Sequence, residues 1–162
     1  MTGEQRIELA MRKALDNELD QLVEAARRAI LLLNDDRAMR ENQIRNVLNV
    51  ATSTESLAVV TNFIRYQMGR SGGNQAWLHS NFGQTVVNDL ESEKGEVAKL
   101  AESVTRKVCE KTGSTDRNRI LGRARVELAR LYLGYLNRWF YYGSKKPEHW
   151  NDIAAVKRAE YV

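Results

Sequence analysis

The chain has 162 residues, of which 43% are hydrophobic and 28% charged, and its formal net charge is +4. This length and composition exclude a disordered chain and a small domain that depends on metals or disulfides for its core. No apolar run approaches the roughly 18 residues that span a membrane, the opening residues MTGEQRIELAMRK lack a signal-peptide pattern, and the single Cys109 suits a cytoplasmic protein.

The first predicted element is one long amphipathic helix over residues 4–33. Apolar residues recur there at spacings of three or four, which is the signature of a helix with one buried face. At 1.5 Å per residue this helix would be about 45 Å long. The turn cluster Asn34-Asp35-Asp36 should end it. Its buried stripe is Ile7, Met11, Leu15, Leu19, Leu22, Ala26, Ala29 and Leu33.

Two shorter helices should follow. The first is built around Ile44, Val47, Leu48 and Ala51, and the second around Leu57, Val60, Ile64 and Met68. Thr52 and Glu55 have the spacing of a capping box and predict the start of the second of these helices. That helix should end near Gly69, and the sequence Ser71-Gly72-Gly73-Asn74 is the clearest predicted loop of the chain.

Residues 76–111 are helical in pattern, with a break or kink expected near Gly95. Gly113 has the position of a glycine just after a helix end, and Ser114 or Thr115 can cap the next helix. The last long helix should run over residues 116–142 and end before Pro147. Its predicted core stripe is Ala124, Leu128, Leu131, Tyr135, Trp139 and Tyr142.

These elements predict an all-α protein. No segment alternates apolar and polar residues between hairpin turns, so strands are not expected. We therefore predict a single-domain helical bundle of five to six helices over residues 1–143. Residues 144–162 form a basic, amphipathic C-terminal tail that includes Trp150, Ile153 and Val156.

Residues that carry chemistry are sparse. His79 and His149 are seventy positions apart and belong to no metal-binding motif, and Cys109 falls on a core stripe. No glycine-rich phosphate motif occurs. A helix-turn-helix centred on Gly83 would place polar His79, Asp89 and Ser92 at packing positions, which argues against it. We expect no enzymatic activity, no metal and no cofactor.

Positive charge is concentrated in two segments. Residues 37–76 hold five basic and two acidic residues, and residues 113–162 hold ten and five. Arginine outnumbers lysine twelve to three in these segments. Arginine is weakly hydrated and binds phosphate through two hydrogen bonds, so this bias indicates nucleic acid, although arginine stems also cover apolar surface.

The last long helix should present arginines along one flank. Relative to Arg119, the positions of Arg130, Arg123 and Arg138 are rotated by about 20°, 40° and 100°. Gly134 lies in the same arc and would permit close approach of a phosphate, and Glu127 is the nearest acid. This excess of cations predicts a surface for a polyanion. The alternative is a solvated or partner-facing flank whose arginines pair with acids of the first helix.

Aromatic residues near the end of this helix, including the run WFYY at 139–142, could stack on bases. Their helical phase places Tyr135, Trp139 and Tyr142 in the core, which favours a structural role. Phe140 points away from this stripe and is the candidate for stacking on a base. In the apolar segment 43–70, Arg45, Arg65 and Arg70 lie off the buried stripes and should emerge at the rim of one helix pair.

Three blocks in order, QIRNVLNV, FIRYQMGR and LARLYLGYLNRWFYYG, resemble the small subunit of type III CRISPR effector complexes (subtypes A and D, the Csm type). The matching blocks cover roughly residues 40–70 and 128–143. The sequence departs from the family pattern at Arg40-Glu41-Asn42-Gln43, in the loop at 71–74 and beyond Gly143.

The resemblance implies a non-catalytic, cytoplasmic all-α subunit that functions in antiviral defence. Several copies would stack along guide RNA and target RNA, in contact with other effector subunits, and would contact the RNA backbone without reading its sequence. It implies RNA contact, or contact between copies, for Arg45, Arg65 and Arg70, while Arg119, Arg123, Arg130 and Arg138 come from the helical flank alone. The alternatives are a helical protein–protein scaffold and a nucleic-acid-binding regulator unrelated to CRISPR.

Overall fold

A computed structural model describes residues 1–34, 38–70 and 75–156, and in these ranges the chain is helical without a strand. Seven α-helices lie before Lys146 and an eighth lies in the tail, so the all-α bundle is confirmed but the expected count of five to six helices was too low. None of the helices in these ranges has the length and apolar content to cross a membrane. The helices are α1 (Gly3–Asp16), α2 (Leu19–Ile30), α3 (Glu41–Ser53), α4 (Leu57–Gly69), α5 (Phe82–Glu91), α6 (Glu96–Thr112), α7 (Arg117–Lys145) and α8 (Pro147–Ala155), with short 3-10 helices at Gln75–Trp77 and His79–Asn81.

The predicted long first helix is two helices, α1 and α2, separated at Asn17 and Glu18. The break turns the Glu18 side chain into the bundle, where it is 3% exposed. Its carboxylate accepts hydrogen bonds from Ser103 Oγ at 3.3 Å and from Lys107 Nζ at 3.2 Å, both on α6. Apolar spacing continues across the break, which is why the sequence pattern did not show it. Asp35 and Asp36 of the predicted turn lie outside the described residues.

Helices α3 and α4 lie where the sequence predicts them, but the cap between them differs. Ser56 is the N-cap of α4 and its Oγ accepts a hydrogen bond from the Val59 N–H at 3.4 Å. Thr52 instead lies within α3 and donates to the Asn49 carbonyl. The predicted capping box at Thr52 and Glu55 was therefore wrong. The predicted loop at 71–74 lies outside the described residues.

Two glycines set the ends of helices as the sequence predicts. Gly95 is buried between α5 and α6, and a Cβ there would overlap the Asn88 carbonyl oxygen, so the break requires glycine. Gly113 ends α6 with φ of 70°, and its N–H donates to the Cys109 carbonyl at 2.8 Å. The next helix has Asp116 rather than Ser114 or Thr115 as its N-cap.

Helix α7 lies at the centre of the bundle and packs against α2, α3, α6 and α8. Its buried face is wider than the predicted stripe and differs in phase. Tyr132 and Phe140 are buried, whereas Tyr142 is 38% exposed, so the expected core position of Tyr142 and the suspected exposure of Phe140 were both wrong. The physical reason is α8, which folds back on α7 and packs Trp150 against Phe140.

A buried arginine joins α2 to α8. Arg27 donates two hydrogen bonds of 2.8 Å to the Glu24 carboxylate and one of 3.0 Å to the Ile153 carbonyl, near the end of α8. Carbonyls in the last turn of a helix have no partner within the helix, so Arg27 satisfies one of them. Part of the predicted tail is thereby fixed to the bundle.

A second polar contact lies between α5 and α7. The buried Tyr132 hydroxyl donates to Asp89 Oδ2 at 2.6 Å. Desolvation raises the pKa of Asp89, although the hydrogen bond from Tyr132 opposes the shift. Burial and the neighbouring Asp89 carboxylate raise the pKa of Tyr132 well above its usual value. This pair therefore links the stability of the fold to pH.

We predict that Arg27→Ala lowers the free energy of unfolding by about 3 kcal/mol, because it leaves the buried Glu24 carboxylate without its bidentate partner. The neighbouring Arg28 provides a matched control, since its side chain is 53% exposed and its ion pairs are to Glu24 and Glu96. Arg28→Ala should cost less than about 1 kcal/mol. Urea unfolding followed by circular dichroism measures both; equal losses would contradict the structural assignment of Arg27.

We predict that the free energy of unfolding of the Asp89→Asn variant increases relative to that of the parent chain as the pH rises. Because the folded-state pKa of Asp89 is raised, its protonated form favours folding. That contribution is fully present below the unfolded pKa of about 4 and is lost as the pH rises through the folded pKa. Asparagine keeps an acceptor for Tyr132 and never ionises. Urea unfolding from pH 4 to 7 measures the difference, and a difference that does not change with pH would contradict this prediction.

Candidate nucleic-acid interface

The three sequence blocks that carry the family resemblance lie on neighbouring helices. QIRNVLNV is in α3, FIRYQMG in α4 with Arg70 directly after it, and LARLYLGYLNRWFYYG in α7. Helix α3 packs along the C-terminal half of α7 and next to α4. Contacts join Ala51 to Arg130 at one end and Glu41 to Lys145 at the other, so α3 and α7 are antiparallel. The blocks therefore form one region of the bundle.

Five of the seven predicted arginines have carboxylate partners within the chain, contrary to the expectation that they would be unpaired. The partners come from several helices, including α1 and α5, and from the turns before α4 and α7. The ion pairs are Arg45 with Glu41, Arg65 with Glu91, Arg119 with Glu4 and Asp116, Arg123 with Glu4 and Glu8, and Arg130 with Glu55 and Glu127.

The pairs of Arg45 and Arg65 are on the surface. Both arginine side chains are about half exposed, at 50% and 49%. A hydrogen bond from Arg65 lowers the pKa of Glu91. Exposed ion pairs contribute roughly 0–1 kcal/mol, so a phosphate can replace either carboxylate at little cost. RNA contact by Arg45 and Arg65 thus stays a prediction.

Arg130 has a structural role. Its side chain is 20% exposed, and it donates to the Ala51 carbonyl at 2.9 Å and the Thr54 carbonyl at 2.8 Å, at the C-terminal end of α3. Its remaining hydrogen bonds go to Glu127 and Glu55. The guanidinium thereby satisfies carbonyls that α3 leaves without partners and fixes α3 to α7.

Arg119 and Arg123 lie together at the N-terminal end of α7, facing α1. Both contact Glu4, and the hydrogen bond from Arg119 lowers the pKa of Glu4. With Glu8 and Asp116 also paired here, the three acids outnumber the two arginines. This is the partner-facing alternative that the sequence left open, with α1 as the partner. The charges of Arg119 and Arg123 are thus matched by carboxylates of the same chain, and RNA contact by these two arginines stays a prediction.

Arg70 and Arg138 have no carboxylate partner within the described residues. Each lies over a tyrosine ring, Arg70 at 5.7 Å from the centre of Tyr66 and Arg138 at 5.7 Å from that of Tyr135. Arg70 also donates to Gln67 Oε1 at 3.3 Å. A guanidinium held over an aromatic face keeps its outer N–H groups for another acceptor.

A corner between α3 and α7 combines cations with an exposed aromatic ring. Lys145 lies 4.1 Å from the centre of the Tyr141 ring and 3.6 Å from Glu41, the carboxylate that also pairs with Arg45. Arg138 lies one and two helical turns before Tyr141 and Lys145, on the same flank of α7. We call Arg45, Arg138, Tyr141 and Lys145 the α3–α7 corner.

Lys145 was missed by the sequence reasoning, as was Tyr66, which is 59% exposed; Tyr141 belongs to the predicted run WFYY, but Phe140 was the residue singled out there. Each lies within three to seven residues of a predicted arginine, so the available signal was their helical spacing from it. The seven predicted arginines do not form one patch, since Arg119 and Arg138 lie about 28 Å apart along α7 at 1.5 Å per residue.

We predict that Arg130→Gln lowers the free energy of unfolding by about 2 kcal/mol, because the hydrogen bonds to the end of α3 are lost. Arg138→Gln removes the same charge from an exposed site on the same helix and should change stability by less than about 0.5 kcal/mol. Thermal and urea unfolding of the two variants check this; a loss for Arg138→Gln as large as that for Arg130→Gln would contradict the distinction.

Comparison with known protein families, with curated proteins and with solved structures finds no match to this chain. The family resemblance therefore rests on the three sequence blocks and their order. The structure adds the position of these blocks on neighbouring helices and the chemistry of the α3–α7 corner.

Proposed function

We propose that this chain is a non-catalytic small subunit of a type III CRISPR effector complex, which contacts the backbone of guide and target RNA through its arginines. The observation that carries the proposal is the α3–α7 corner, where two of the three resembling blocks meet. In the corner, Arg45 and Lys145 share a single acid, Glu41, next to the exposed Tyr141, and Arg138 lies two helical turns before Lys145 on the same flank of α7.

The charges of the corner suit a phosphodiester chain. Glu41 is shared between Arg45 and Lys145, so two cations are matched by one carboxylate, and Arg138 adds a third. Phosphate oxygens can replace Glu41 because an exposed pair is weak, and a guanidinium can then bind phosphate through two hydrogen bonds. Such contacts position the protein on RNA without reading its sequence.

The exposed aromatic rings add a contact that also tolerates any sequence. Tyr141 is 50% exposed and Tyr66 is 59% exposed, each beside a cation. Stacking of a base on such a ring contributes about 1–3 kcal/mol. A single copy has few such contacts, so further copies along one RNA and neighbouring effector subunits would supply the avidity for stable binding.

We predict that the triple variant Arg45→Gln, Arg138→Gln and Lys145→Gln weakens binding to single-stranded RNA at least about tenfold at low salt. Loss of three phosphate contacts should also reduce the slope of log affinity against log salt by about 2. Fluorescence anisotropy with two RNA oligonucleotides of unrelated sequence measures both, and the two should bind alike.

The matched control carries Arg12→Gln, Lys94→Gln and Arg106→Gln. These are exposed cations on α1, on the turn before α6 and on α6. The control loses the same net charge, so it should keep the affinity of the parent chain to within a factor of about three if binding depends on the corner rather than on total charge. Equal losses of RNA affinity in both triple variants would overturn the proposal and favour the helical protein–protein scaffold.

A further inference from the structure

The bundle has a second feature that RNA contact at the α3–α7 corner does not use. A groove of about 360 Å³ lies between α1 and α6, and no acidic residue lines it. Its floor includes Leu9 and Ala10, and Leu9 is 43% exposed although it is a large apolar side chain. A single exposed leucine is ordinary, but here it lies within a concave surface.

Cations form both walls of this groove. Arg6 and Lys13 lie on α1, two turns apart, and Lys107 and Lys111 lie on α6, one turn apart. Lys107 is paired with the buried Glu18. The other three have no carboxylate partner within the described part of the chain. Cations from both helices thus line the groove together with apolar side chains.

The acids of α1 explain why these cations are unmatched. Glu4 and Glu8 point to α7, where they pair with Arg119 and Arg123. These ion pairs hold Glu4 and Glu8 on the α7 side of α1, whereas Arg6 and Lys13 of the same helix line the groove beside α6. The asymmetry belongs to the folded bundle, since acidic and basic residues alternate along the sequence of α1.

We propose that this groove binds an amphipathic helix with acidic flanks from a protein partner. Along α1 the groove runs from Arg6 to Asn17, about 17 Å or three helical turns. A helix laid along this groove would meet apolar side chains such as Leu9 and Ala10, and its acidic residues would meet the cations that α1 and α6 contribute to the lining. RNA fits less well, because its phosphates gain nothing from an aliphatic floor and the groove has no aromatic residue on which a base could stack.

The test uses a synthetic amphipathic peptide of about 18 residues, with leucine at helical spacing and glutamate on both flanks, and a counterpart with lysine in place of glutamate. The full chain should bind the glutamate peptide at least about tenfold more tightly by fluorescence anisotropy at low salt. Hydrogen–deuterium exchange should slow over residues 6–17 and 107–112.

Reversal of the charged walls tests the position of the site. Lys13→Glu with Lys111→Glu should reverse the preference, so that the lysine peptide binds more tightly, while Lys94→Glu with Arg106→Glu makes the same change in net charge outside the groove and should leave the preference unchanged. Leu9→Ser should weaken binding of the glutamate peptide, and the salt dependence of that binding should stay unchanged. Equal binding of both peptides, binding of neither, or the same effect from both charge reversals would overturn the inference.

The outcome is independent of the RNA proposal. The double variant Lys13→Glu and Lys111→Glu should bind RNA as tightly as its control, Lys94→Glu and Arg106→Glu. The triple variant of the α3–α7 corner should bind the glutamate peptide as tightly as the parent chain does. If the α1–α6 reversal abolishes RNA binding while the peptides show no preference, the groove belongs to RNA and the inference of a helical partner is wrong.

Discussion

The surroundings of α7 determine the rest of this structure. A 29-residue helix presents more apolar surface than one neighbour can cover, and α2, α3, α6 and α8 pack around it. This wide burial leaves α7 only a narrow exposed flank. The side chains on that flank are the ones available for recognition, because the others are in the core. The rotation of α7 about its axis therefore decides that Tyr132 and Phe140 are core residues and that Arg138 and Tyr141 face outward.

The arginines of this bundle are either buried and structural or exposed, and the burial of each side chain distinguishes the two groups. Arg27 and Arg130 have little exposed surface and donate to backbone carbonyls near the ends of helices, where lysine could not offer the same planar set of hydrogen bonds. Arg45 and Arg65 are half exposed, and their ion pairs contribute little to stability. Composition counts all of these residues alike, so an excess of arginine over lysine indicates nucleic acid only after the structural ones are set aside.

The sequence predicts much of the fold, since apolar spacing and glycine positions are local signals. The break at Gly95 follows from the close approach of the Asn88 carbonyl oxygen, which leaves no room for a Cβ, and the helix end at Gly113 follows from a positive φ that glycine adopts easily. The break at Asn17 is not visible in the sequence, because the contacts of Glu18 with α6 that accompany it join residues more than eighty positions apart. The prediction of unpaired arginines at the candidate site was wrong for the same reason. Glu4 and Glu8, which pair with Arg119 and Arg123, lie over one hundred positions earlier in the chain, so a charge count within residues 113–162 does not include them.

The bundle has two basic surfaces, the α3–α7 corner and the α1–α6 groove, and they differ in their neutral residues. Glu4 and Glu8 of α1 form ion pairs with Arg119 and Arg123 of α7, whereas Arg6 and Lys13 of α1 line the groove beside α6. Cations that remain at the α3–α7 corner lie beside tyrosine rings, whereas those of the α1–α6 groove lie beside aliphatic side chains. Aromatic rings favour flat, stacked ligands and aliphatic floors favour apolar side chains. The proposals of RNA at the α3–α7 corner and of a protein helix at the α1–α6 groove therefore differ because the neutral residues beside the cations differ, not because the charges do.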